Sequence, residues 1–179
     1  PAKGSLSKVL DDDGVKYEIV ALPRWVSEKP ASITGQLKLR AQLLQSAKDI
    51  TECIKSWEID LVYTNTLVTP IGILAAKRAS VPHILHIREY GDLDFNLNYV
   101  FPNWMTQAIL GRSTAIICHS FTVRDHHFGP NFMRVHQIYN GVATRYQFDQ
   151  RRTIRNSCVP NEIFTFSMLS TITLNKGQE

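Results

Sequence analysis

The chain has little cysteine, no long apolar run and no dense block of one charge, and each shortage removes a class of protein. Only 3 cysteines occur in 179 residues, Cys53, Cys118 and Cys158. Odd in number and widely spaced, they suggest neither a disulfide framework nor a zinc site, and a reducing cytosol is the expected setting. No apolar stretch approaches the roughly 20 residues needed to cross a bilayer, and the opening residues Pro1 to Ser5 lack the apolar core of a signal peptide. The formal net charge of +4 comes from Lys and Arg spread along the chain. It suits anionic ligands or an anionic membrane surface but is far weaker than a nucleic-acid footprint, so no nucleic-acid partner is expected. A Walker loop, a glycine-flanked serine elbow and a nicotinamide-type glycine fingerprint are also missing.

What is present is an alternation of helical and strand patterns, with 44% hydrophobic and 20% charged residues. Leu6, Val9 and Leu10 have helical spacing before Gly14, and Lys16 to Ala21 then alternates like a strand. Leu43, Ala47, Ile50, Ile54 and Trp57 step by threes and fours, the mark of an amphipathic helix over about 35–57. Leu61 to Thr64 reads as a strand. Thr69-Pro70 supplies an N-cap and a first helical residue for a helix to about Ser80. Val81 to Ile87, Ala115 to His119 and Val135 to Tyr139 are further strands, with a Ser120-capped helix after the second of them. The polar, Arg-rich stretch 144–160 reads as a connector, and Ile163 to Leu169 as the first strand of something beyond it.

Strands alternating with helices predict an α/β fold, a Rossmann-like parallel sheet with helices on both faces. Ligands in such sheets bind beyond the carboxyl ends of the strands. Here those ends are Asn65-Thr66, Arg88-Glu89, Ser120 and Asn140-Gly141.

Five segments carry a resemblance: Asp60 to Thr66, Val81 to Glu89, Cys118 to Asp125, Ile138 to Val142 and Lys176 to Gln178. Their order and spacing resemble the family-four glycosyltransferases of GT-B fold, over nearly the whole chain. The resemblance implies a two-domain enzyme, with an acceptor-binding domain over 1–145, a connector over 146–160 and the start of a donor-binding domain over 161–179. It also implies that the family's first strand and glycine-rich loop precede Pro1, so the sequence is expected to be an internal portion of a longer enzyme. The implied activity is transfer of a sugar from a nucleotide-sugar donor to a hydroxyl of a glycan or lipid-linked saccharide, as in polysaccharide biosynthesis. Such transfer would be retaining and metal-independent, with no cofactor beyond the nucleotide-sugar, in a cytoplasmic protein with peripheral membrane contact.

The same resemblance assigns donor binding to Lys176, Gly177, Asn140 and Gly141. A lysine at a helix N-terminus suits a diphosphate, although a turn lysine would look the same, and Thr171 stands where many members have Arg. Ala143 replaces the acidic residue that commonly follows the AsnGly pair, for which a tight turn is a sufficient role. Arg88 and Glu89 are the catalytic candidates, where many relatives present a His-Asp pair. A carboxylate there can hold or deprotonate an acceptor hydroxyl and Arg can neutralise phosphate; the alternative is a local ion pair. Asn65, Thr66, Tyr90 and Ser120 are the acceptor-binding candidates, and the three small residues serve equally as turn or capping residues.

The loop Tyr90 to Trp104 also carries Phe95, Tyr99 and Phe101. These aromatics can form an acceptor pocket, dip into a membrane interface or cover the core. His119, His126, His127 and His136 lack a supporting carboxylate cluster, so no metal site is expected; His86, between Leu85 and Ile87, reads as a packed, hydrogen-bonded histidine. Two rival readings are a nucleotide-sugar epimerase of GT-B fold and a non-catalytic, glycosyltransferase-like binding subunit.

Overall fold

In a computed structural model, residues 3–29, 31–129 and 133–157 are described, and the chain divides into two units, Pro1–Ile138 and Tyr139–Glu179. The first unit is organised by four short strands: β2 (Val62–Thr64), β3 (His83–Ile87), β5 (Ala115–Cys118) and β6 (Val135–Gln137). They pair in the order β2-β3-β5-β6, all parallel, with Leu85 opposite both Thr64 and Ile116, and Cys118 opposite Gln137. Each crossover is helical: α3 (Ile71–Ala79) between β2 and β3, α5 (Asn103–Leu110) before β5, and α6 (Phe121–Phe128) before β6. Helices α1 (Ser5–Asp12) and α2 (Ile33–Ser56) precede the sheet. The fold is the expected Rossmann-like α/β arrangement, a parallel sheet flanked by helices.

Strand residues alternate in burial because successive side chains point to opposite faces. His83, Leu85 and Ile87 are buried and share a face with buried Ile116 and Cys118. Leu85, Ile87, Ile116 and Cys118 join Leu43 and Ala47 of α2, Ile71 and Ile73 of α3, Leu110 of α5 and Val123 of α6 in one core. Gly72 lets α3 come down onto the sheet, because a Cβ at that position would overlap the Thr64 hydroxyl.

Several details depart from the sequence reading. Lys16 to Ala21 forms no regular element and joins no sheet among the described residues; alternation favours a strand, yet without a neighbour its amides have no ladder to enter. An apolar groove of about 370 Å³ separates Val20 and Leu22 from Leu61 and Val62 at the edge of the sheet. Helix α3 begins one residue later than expected: Pro70 occupies the cap position, and the Thr69 hydroxyl is buried without a partner among the described residues. The stretch before α2, to which the sequence reading assigns no element, contains β1 (Val26–Ser27), antiparallel to β4 (Asn98–Tyr99), which lies in the aromatic loop after the single-turn α4 (Asp92–Phe95).

In the second unit, the expected connector holds a helix, α7 (Arg145–Ser157). The strand expected at Ile163 to Leu169 lies outside the described residues. Among the described residues, no helix is long and apolar enough to cross a membrane.

Candidate functional site

The carboxyl ends of β2 and β3 meet in a hydrogen-bonded network around Glu89, which helix α6 also joins. One carboxylate oxygen of Glu89 accepts the Leu67 N–H at 2.9 Å and the Thr66 hydroxyl at 3.3 Å. The Thr66 hydroxyl oxygen in turn accepts the Val68 N–H at 3.2 Å. Glu89 thus ties the end of β3 to the loop after β2. Its backbone carbonyl accepts from His127 Nε2 at 3.0 Å, which ties the same point to α6. Burial lowers the His127 pKa, so the ring favours the neutral form with its proton on the nitrogen facing that carbonyl.

Leu67 is gripped from its other side as well. The Trp25 indole N–H donates to the Leu67 carbonyl at 2.6 Å, and the Trp25 backbone bonds Val68 and Val100. Trp25 is 1% exposed and meets Tyr99 edge to face at 5.2 Å. The loop carrying Asn65 and Thr66 is therefore clamped between an indole and a carboxylate. Sequence reasoning missed Trp25 because its partners lie more than 40 residues away; a lone Trp within a polar loop was the available signal.

A second cluster adjoins Glu89. Asp92 accepts the Leu93 N–H at 2.9 Å and bonds His126 Nε2 at 2.8 Å, and His126 meets the Tyr90 ring edge to face at 5.2 Å. Burial opposes ionisation of Asp92, but the bonds from His126 and Leu93 outweigh it and lower its pKa. The Tyr90 N–H donates to Asp94 at 2.8 Å, across a turn in which Gly91 has a φ of 84°. That left-handed geometry favours glycine.

Of the predicted catalytic pair, Glu89 is half-buried and bonded whereas Arg88 is exposed, and no ion pair joins them. Among the acceptor candidates, Thr66 and Tyr90 enter the network and Asn65 is exposed. Ser120 caps α6, accepting the Val123 N–H at 3.2 Å. Asn140 and Gly141 are exposed in the second unit. Lys176 and Gly177 lie outside the described residues.

The aromatic loop divides between two fates. Phe101 is in the core and Tyr99 packs on it, while Phe95 and Trp104 are exposed. His86 bonds the Tyr63 hydroxyl through Nδ1 at 2.6 Å, but its Nε2, like His119 Nδ1, is buried without a partner among the described residues. No three His, Cys, Asp or Glu side chains converge as a metal site among the described residues.

No curated protein and no solved structure matches the chain. The sequence model of a family described as Glycosyltransferase Family 4 matches residues 5–146.

Proposed function

The chain belongs to glycosyltransferase family 4, and from that premise we propose that it supplies the acceptor domain of an enzyme moving a sugar from a nucleotide-sugar to a hydroxyl group. The observation that carries this reading is the network at the strand ends, where Glu89 fixes Thr66 and Leu67 while keeping a second carboxylate oxygen. That oxygen is placed to accept from an acceptor hydroxyl, and the exposed Arg88 beside it is suited to a phosphate. The acceptor is a saccharide or lipid-linked saccharide, reached from the cytoplasmic side of a membrane.

The donor half of the reading assigns the nucleotide-sugar diphosphate to a second domain entered through Lys176-Gly177, with Asn140-Gly141 at its border. A cation at a helix start would stabilise charge developing on the departing diphosphate, and the family points to a metal-independent transfer with retention of configuration. The domains are 1–145, a connector over 146–160 and a donor domain from 161.

The test is donor hydrolysis and sugar transfer by a polypeptide carrying both domains, across a panel of nucleotide-sugars, with Lys176→Ala and Glu89→Ala alongside. Turnover of one donor that both substitutions reduce, Lys176→Ala by at least about a hundredfold, supports the reading. Donor binding without turnover points to a non-catalytic binding subunit, and conversion of the donor sugar without an acceptor points to an epimerase. The 179-residue chain alone is expected to be inactive.

A further inference from the structure

Helix α7 carries a charge pattern that the glycosyl-transfer reading leaves unused. With about 3.6 residues per turn, Arg145, Phe148, Arg151 and Arg152 fall within about a third of the helix circumference. The only acid in the described helix is Asp149, which pairs with Arg145 at 3.5 Å, one turn away. Arg151 and Arg152 meet no carboxylate among the described residues. Phe148 is 60% exposed among the arginines, and Val142, on the approach to the helix, is 98% exposed. The result is three guanidinium groups around an apolar ring, on a helix of 13 residues.

We propose that this face of α7 docks on an anionic lipid surface, the arginines meeting headgroup phosphates and Phe148 and Val142 entering the headgroup boundary. Charge complementarity selects the partner class, because guanidinium groups match phosphate oxygens with paired N–H donors. The spread selects a surface over a soluble ion: Arg145 and Arg152 are seven residues apart, about 10 Å along the axis, beyond the reach of one phosphate group. The exposed apolar side chains select it again, since a free anion would leave them in water whereas an interface buries them. The inference deepens the membrane-side reading above by naming the surface that makes the contact, and vesicle binding tests it without any glycosyl transfer.

The experiment is co-sedimentation of the full chain with phosphatidylcholine vesicles, with and without about a third of the lipid as phosphatidylserine. Binding is expected to anionic vesicles only and to weaken as salt is raised. Each arginine near an anionic surface is worth about fivefold in partitioning, so Arg151→Glu with Arg152→Glu should lower binding at least about twentyfold with the far-UV circular dichroism unchanged. Salt titration of the unsubstituted chain decides the same question if that variant does not fold. Equal binding to neutral vesicles, no binding to anionic ones, or unchanged binding by the folded variant would overturn the proposal. So would displacement by inorganic pyrophosphate beyond the effect of chloride at equal ionic strength, which would mark a soluble-phosphate site instead.

Discussion

At the amino end of β3 the His83 ring is 2% exposed, with Nε2 2.8 Å from the Thr64 hydroxyl and Nδ1 3.1 Å from the Ser113 hydroxyl. At the carboxyl end, Glu89 commits one oxygen to the loop after β2, Arg88 reaches solvent, and Tyr90 turns the chain through Gly91. Both ends carry ionisable side chains, yet at the first every polar atom of the ring is matched inside the core. At the second, bonded atoms lie beside others, the second Glu89 oxygen and the Arg88 guanidinium, that meet no partner among the described residues. His83 is therefore an integral part of the core, while Glu89 and Arg88 lie where the strands stop, the end at which a parallel sheet would take a ligand.

The sharpest way to break this contrast is to remove the residue that spans both kinds of environment. Trp25 is buried in the core and holds the Leu67 carbonyl at the site loop. Trp25→Ala should destabilise the first unit by about 3–5 kcal/mol, read as a fall in the urea midpoint. An unchanged midpoint would show that the clamp contributes nothing to the core. Trp25→Phe keeps most of the packing and loses the indole donor, so it should cost less in stability while loosening the loop after β2, seen as faster amide exchange at Leu67.

The amino end makes its own prediction through pH. Burial lowers the His83 pKa from 6.5 to about 4. Between those values the unfolded chain takes up a proton that the folded one refuses, so stability falls as the solution is acidified. The contribution is complete above about pH 6.5, is lost on the way down to about pH 4, and is on the order of 3 kcal/mol. In His83→Gln the hydrogen bonds to Thr64 and Ser113 can be partly kept but no proton is taken up. Its urea midpoint should drop less between pH 7 and pH 4.5 than that of the unsubstituted chain, and equal drops would assign the acid sensitivity elsewhere.

Glu89 sharpens the contrast from the other side. Loss of its half-buried carboxylate in Glu89→Ala leaves the Leu67 N–H without its partner and should cost about 1–2 kcal/mol. Glu89→Gln retains an oxygen for that N–H and should be nearly as stable as the parent. In the polypeptide carrying both domains the two variants separate positioning from chemistry: a Gln variant that keeps most transfer activity makes Glu89 a positioning residue, and one as inactive as Ala makes the second oxygen a proton acceptor.

The regular part of this arrangement was legible in the sequence because its causes are local. Apolar runs at His83–Ile87 and Ala115–Cys118 and the capping residue Ser120 fix three elements within a few residues of themselves. What was illegible depends on distant partners. Val26–Ser27 is a strand only because Asn98–Tyr99 lies beside it, whereas Lys16 to Ala21 has the better alternation and no ladder among the described residues. The candidate site divides in the same way. Thr66 and Glu89 could be named from their places after strands, but their hydrogen bond, the Trp25 clamp and the His126-Asp92 pair join residues 23 to 42 positions apart.

Ser120 offers the smallest effect and the most selective test, because it sits at a strand end yet its hydroxyl already serves the fold as the cap of α6. Ser120→Ala removes that cap and should cost about 1 kcal/mol. Asn is as good a cap as Ser, so Ser120→Asn should restore the urea midpoint. If transfer activity returns with stability, the serine belongs with His83, a polar group absorbed by structure. If stability returns and activity does not, the bulkier side chain stands where an acceptor must sit, and Ser120 belongs with Glu89, a residue that holds the fold and faces the ligand at once.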